Sequence, residues 1–449
     1  FMDSFEPKAL PIFAQGAAMY QLFLRQFTPE GTLQAAEKLL PHLADFGIRI
    51  LYLCPFNEAD DDQNRDYWSP RQIASGMNNP KNPYRINDYF RIDSEYGTDE
   101  DFASFVRVAH QLGIKVMLDI VYLHCGPKAT LLSMDSDMIQ RDKEDKPILG
   151  TWHFPLLNYD SIKLREYMWG NMLYFVKKFD IDGYRCDVGD NVPLSFWEEG
   201  RRRIDAIKKD FIMLDEAPGI QVDEKSAFEL VYGFRHGSLL KFFKNEISPS
   251  EFRKELDDYF ADGRKNLRIM WYIDNHDIAS DAYEERFEKT ADVKQVGNAL
   301  AFVFAMEGMP LLYNGQEIAD SNRHSLWANH EYGHHLGINW ATAMTPKGEN
   351  RLAFVKELIK LRANNRVLTM GTRAWLDINH EDKVLGLVRT YEGNKVVCIF
   401  NAEKEMQRVS LPHIQAKKIV LNTGAEIQDI SDGSVVELQR YSCVFFEIK

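Results

Sequence analysis

The chain is short of cysteine, of basic charge and of long apolar runs, and each shortage closes off a class of protein. Five cysteines (Cys54, Cys125, Cys186, Cys398 and Cys443) are scattered over 449 residues, none in a CxxC pair. That argues against a zinc site of paired cysteines, and an odd, sparse set does not make a disulfide framework. Lys and Arg number 54 against 67 Asp and Glu, for a formal charge of −13. A nucleic-acid partner needs a basic footprint and is not expected. The nearest approach to a membrane span, residues 299–313, is broken by Glu307 and Gly308. No low-complexity tract, fixed-period repeat or signal peptide stands out. A soluble protein is expected, cytoplasmic or, with a leader removed ahead of Phe1, periplasmic or secreted. A monomer is the default state.

What the chain does have is aromatic surplus, 12% Phe, Trp and Tyr, which suits a large core and flat platforms for sugar rings or bases. It also repeats a type of unit: a short apolar run, a loop, then a helical pattern. The runs are 17–23, 48–54, 114–122, 181–188, 211–217, 228–234, 267–274 and 309–315. Alternation of this kind implies βα units and a parallel sheet, and near-continuous apolar strands fit burial on both faces. Eight units favour an α/β fold of the closed (β/α)8 TIM-barrel type. An open doubly wound sheet is the alternative, but no GxGxxG follows the first strand. From about Arg373 the chain alternates apolar and polar residues, with a hairpin expected around Glu392-Gly393-Asn394. The expected organisation is a barrel over 1–368 and a C-terminal all-β sandwich over 369–449. Residues 125–160 are too long for a plain βα loop and are expected to form an excursion over the barrel mouth.

Barrel active sites lie at the C-terminal strand ends. Here those ends carry Asp119 and His124, then Arg185 and Asp187, then Asp215 and Glu216, then Asn275, His276 and Asp277. Singly, each reads as a cap, a turn former or a structural histidine. Four strand ends so equipped are hard to explain by capping. Two carboxylates flanking a scissile bond are the minimum for glycoside hydrolysis. A close Arg185 would favour an ionised Asp187, and apolar neighbours of Glu216 would raise its pKa, as a general acid requires.

The motifs "DIVYLH" (119–124), "GYRCDV" (183–188), "DEA" (215–217) and "YIDNHD" (272–277), in this order, resemble the four motifs of the α-amylase family of glycoside hydrolases (family 13). The stretches 83–102 and 308–317 support the resemblance, which spans most of the chain. It implies Asp187 as nucleophile, Glu216 as acid/base and Asp277 as the carboxylate that holds sugar hydroxyls. It implies Arg185 as partner of the nucleophile, His124 and His276 as sugar hydrogen-bonders, and Tyr84 as the stacking platform. The implied reaction is hydrolysis of α-glucosidic bonds in malto-oligosaccharides or α-glucans, with retention. An α-1,6-glucosidase or transglycosylase shares these features, and a non-catalytic carbohydrate-binding relative would have lost a carboxylate.

The departures from the family pattern are specific. Leu123 stands where the family usually has an Asn that binds Ca²⁺, and Leu offers a hard cation no oxygen. No cofactor is therefore expected and no metal ligand assigned. The acidic run 58–63 offers carboxylates to a cation, but a solvated loop is the favoured reading. Val188-Gly189-Asp190 replaces the Lys and His that many relatives carry after the nucleophile, so the leaving-group side is built differently. Arg323, after the last strand, is a candidate sugar contact. A metal-dependent hydrolase would need clustered His, and "HEYGHH" (330–335) is the one local cluster.

Overall fold

The computed structural model describes residues 8–217, 227–233, 236–260, 268–281, 284–332, 337–378 and 381–449. Eight parallel strands close a barrel: β1 (Met19–Leu22), β2 (Ile50–Leu53), β3 (Lys115–Ile120), β4 (Gly183–Cys186), β5 (Ile212–Asp215), β6 (Leu230–Tyr232), β7 (Ile269–Trp271) and β8 (Met309–Tyr313). Each neighbours the next in chain order, and β1 pairs with both β2 and β8. The expected (β/α)8 barrel is the observed fold. The side-chain period of two divides each strand between two cores. Ile50, Tyr52, Met117, Leu214, Tyr232 and Met270 fill the interior, while Leu51, Leu53, Val116, Leu118 and Tyr184 pack outward on the helices. Gly183 is forced by this packing. A Cβ there would sit 2.5 Å from the Ile212 carbonyl and 2.7 Å from the Met117 side chain.

Local signals fix the helices around the barrel. Thr98 and Asp101 make a capping box on Asp99–Gln111, and Asp292 and Gln295 make one on Val293–Ala305. Ser161 caps Ile162–Phe179. No helix among the described residues is long and apolar enough to cross a membrane.

Two excursions rise over the C-terminal ends of the strands. Residues 125–160 hold short 3₁₀ turns and isolated bridges such as Leu149 with Pro155. The second, 54–98, contains a two-stranded ribbon (Asn57–Ala59 with Ile86–Ile92) and a short helix, Pro70–Ala74, capped by Ser69. The two are stitched together: Gly126 N–H donates to the Ile86 carbonyl at 2.8 Å, Lys128 N–H to Asp60 at 2.7 Å, and the Tyr89 hydroxyl to the His124 carbonyl at 2.5 Å.

Eight antiparallel strands follow: β9 (Thr372–Leu376), β10 (Val384–Tyr391), β11 (Asn394–Asn401), β12 (Gln407–Pro412), β13 (Ala416–Asn422), β14 (Ala425–Ile430), β15 (Gly433–Leu438) and β16 (Cys443–Ile448). They form a five-stranded sheet, β9-β10-β11-β16-β13, and a three-stranded sheet, β12-β15-β14. The expected hairpin is present, with Glu392 and Gly393 both at positive φ, as a two-residue turn of this hand demands. One face of the larger sheet (Val397, Ile399, Val444, Phe446) packs on the smaller one. Phe400 and Phe445 on its other face join the helical core, with the Phe400 ring 5.5 Å from that of Phe302.

Candidate active site

Arg185 organises the barrel mouth. It lies on β4 directly across from Asp119 on β3, and is fully buried. Its Nη1 donates to Asp119 at 2.9 Å and to Asp187 Oδ1 at 2.7 Å, and its Nη2 lies 2.8 Å from Glu216 Oε2. The guanidinium also sits over the rings of Tyr232 and Tyr52, at 5.3 and 5.8 Å. One cation thus gathers three carboxylates in a dry interior, where an unpaired charge would be costly.

The carboxylates are tuned apart. Burial raises the pKa of Glu216, and the charges of Asp187 and Asp277 add to the rise, against Arg185 and the Val188 N–H. Burial also raises that of Asp187. Arg185 pulls the Asp187 value down, as the sequence suggested, but burial together with the Asp119 charge outweighs it. Asp119 itself is pushed up to about 6 by burial, despite Arg185. Asp277 goes the other way. Burial raises it, but His276 and Arg71 lower it further. His276 is brought down to about 4 by burial, so at neutral pH it carries no charge, and Arg71, with Arg185 at longer range, keeps Asp277 ionised.

The backbone after Asp187 turns sharply. Val188 takes a left-handed conformation, φ 46°, which costs a β-branched residue strain. That turn aims its N–H at Glu216 Oε2, 2.9 Å away. Gly189 follows because a Cβ would run into the Asp215 carboxylate.

Tyr84, from the 54–98 excursion, stacks on His276 with ring centres 5.4 Å apart and planes at 18°. Gln21 Nε2 lies 2.7 Å from His276 Nδ1, and the Tyr84 hydroxyl lies 2.9 Å from Nε2. With the Gln21 amide donating to Nδ1, His276 holds its proton on Nε2 and donates to Tyr84, which donates to Asp119 at 2.8 Å. His124, also lowered to about 4 by burial, donates from Nε2 to the Tyr84 carbonyl at 3.0 Å.

These groups line a cavity of about 320 Å³. Asp187, Glu216, Asp277, Tyr84, His124 and His276 all reach it, and Arg185 lies beneath. Trp152 and Phe154 bring the 125–160 excursion to the same cavity, and Leu326 and Trp327 bring the segment after β8. Arg323 does not line it. Its Nη1 donates to the Ser280 carbonyl at 2.6 Å and its Nη2 lies 3.5 Å from Glu285. Leu123 packs its side chain against the core and cannot serve a cation as the family's Asn does. Of the stretch 330–335, residues 333–335 lie outside the described residues, and the Glu331 and Tyr332 amides bond to Asn329.

Three contributors escaped the reading of the sequence. Asp119 was visible as a strand-end acid but not as the partner of Arg185. Arg71, which pairs with Asp277 at 2.7 Å, and Trp327 come from segments with no strand-end signal.

A model of the α-amylase catalytic domain matches residues 1–146 and 149–348. The chain belongs to the α-amylase family. It is an α-amylase-type glycoside hydrolase. It is 26% identical to a cyclomaltodextrinase of Geobacillus thermopakistaniensis, over 93% of this chain and 70% of that protein. It is 27% identical to an intracellular maltogenic amylase of Bacillus subtilis, over 85% of this chain and 63% of that protein. An α-amylase structure from Lactobacillus plantarum superposes with a TM-score of 0.77 at 22% identity, covering 97% of this chain and 99% of the other, and so shares the fold. The chain thus spans roughly two thirds of the length of these two relatives.

Proposed function

We propose that the chain hydrolyses α-glucosidic bonds of malto-oligosaccharides or related α-glucans with retention of configuration, using Asp187 as nucleophile and Glu216 as acid/base. The observation that carries this is the single guanidinium of Arg185 holding Asp187 on one nitrogen and Glu216 on the other. Carboxylates held side by side leave no room for the water that an inverting mechanism places between them. Glu216, with its raised pKa, gives its proton to the leaving oxygen. Asp187, ionised beside Arg185, attacks the anomeric carbon. Glu216 then takes a proton from water as the glycosyl-enzyme opens. Asp277 receives the sugar hydroxyls, while Tyr84 supplies a flat face and the neutral imidazoles of His276 and His124 border the sugar from the same cavity.

The names of the two relatives support short or cyclic maltodextrins as the substrate class, and the modest cavity agrees. Five buried, unpaired cysteines and the intracellular naming of the Bacillus subtilis relative support a reducing compartment. All three acids meeting in one cavity argues against a non-catalytic role.

Two experiments test the reading. Asp187→Asn should abolish turnover while the far-UV and near-UV spectra stay native; substantial residual activity defeats the assignment. Product analysis on maltose, maltotriose, isomaltose, pullulan, starch and cyclodextrins separates α-1,4 hydrolysis from α-1,6 hydrolysis and from transfer, with maltodextrins expected to be cut fastest.

A further inference from the structure

We propose that Arg71, on the excursion after β2, is a positioning residue that clamps Asp277 in the orientation in which its carboxylate meets the sugar. This rests on the glycosidase reading above. An ion pair at a wet surface contributes little, but this one is built in from three sides. Ser69 accepts the N–H of Gln72 and Pro70 starts the helix, which sets the Arg71 backbone. The guanidinium donates from Nη1 to Asp277 Oδ1 at 2.7 Å, and from Nη2, at longer range, to the carbonyls of Asp277 and Asp281. Its Cζ lies 5.7 Å from the centre of the Trp327 ring. Segments after β2, β7 and β8 therefore converge on one side chain, and Arg71, Asp277 and Trp327 line the same cavity.

Among the described residues, few other groups face Asp277. His276 Nε2 is 3.5 Å from Oδ2. Arg185 on β4 and Tyr232 on β6 act on it at longer range, as do Glu216 just after β5 and Cys54 just after β2. His276 is uncharged at neutral pH, and Arg185 already serves three other carboxylates. Oδ1 is thus fixed by Arg71 alone among these cations, and Oδ2 turns toward His276.

The test is a cycle of Arg71→Met, Asp277→Asn and the double variant, with Arg71→Lys as the conservative control. It is read as kcat and KM on maltotriose and on 4-nitrophenyl α-glucoside. A hydrogen bond to a charged group predicts a loss of about ten- to a hundredfold in kcat/KM for Arg71→Met. The loss should fall mainly on kcat, with partial recovery in Arg71→Lys. In the Asp277→Asn background the same change should have little further effect. An equal loss with and without Asp277, or no loss at all, overturns the clamp. A crystal structure of Arg71→Met decides the point without turnover. Asp277 should leave its position, and an unmoved carboxylate also overturns the proposal. If the wild type cleaves no α-glucoside, the functional reading fails, and the crystal comparison still decides the clamp.

Discussion

Replacing Arg185 by Met should make the protein's stability fall steeply with pH. The substitution keeps an apolar stem between Tyr52 and Tyr232 and removes the one cation that, among the described residues, is bonded to Asp119, Asp187 and Glu216. Breaking a buried ion pair from one side costs about 3–5 kcal/mol, because a charge is left unpaired. The buried acids escape that cost by taking up protons. Asp119 shows the sign in the wild type. Its folded pKa, about 6, lies above its ordinary value of 3.8. Such a group leaves stability intact below the unfolded pKa, and stability is lost as pH rises through the folded one. Without Arg185 all three acids move further up. The deficit of the variant should therefore be small near pH 4.5 and approach the full figure at pH 8. Urea titrations followed by tryptophan fluorescence at both pH values measure it. A deficit independent of pH, or none at pH 8, would refute the argument that this cation neutralises a buried acid cluster.

Other outcomes follow from the same geometry. The activity–pH profile should be a bell, with its acid limb from Asp187 and its alkaline limb from Glu216, both displaced upward by burial. His124 and His276, near 4, should add no inflection between pH 5 and 8. Glu216→Gln should lose the alkaline limb when assayed with α-glucosyl fluoride, whose leaving group needs no acid. Gly189→Ala should destabilise the fold by about 1–3 kcal/mol, an overpacking cost, since its Cβ meets Asp215; thermal melting measures this. Chelation with EDTA should leave activity unchanged, as Leu123 supplies no oxygen, and a loss restored by Ca²⁺ would contradict that expectation.

The barrel was legible because buried parallel strands leave apolar runs, and the acids at their ends interrupt those runs. Even β6, only three residues long, showed through Phe228–Tyr232. The hairpin at Glu392-Gly393 was legible for a local reason, since its turn needs two residues at positive φ. What stayed hidden arrives from a distance. Arg71 sits on a five-residue helix within the 54–98 excursion, 206 residues from the Asp277 it bonds, and no periodicity marks it. Arg323 looked like a candidate sugar contact, yet its guanidinium bonds the Ser280 carbonyl. The net rise in the Asp187 pKa depends on how deeply it is buried, which a sequence does not state.

Val188 carries a lesson for mutational surveys. The donor it offers to Glu216 belongs to the main chain, so an alanine scan passes over it without a signal. Position 188 is free in its chemistry and constrained in its shape. It should accept Gly or Asn, which tolerate a left-handed backbone, and reject Pro, which has neither the donor nor the φ. In a library selected for activity, the residues allowed there would record a backbone angle.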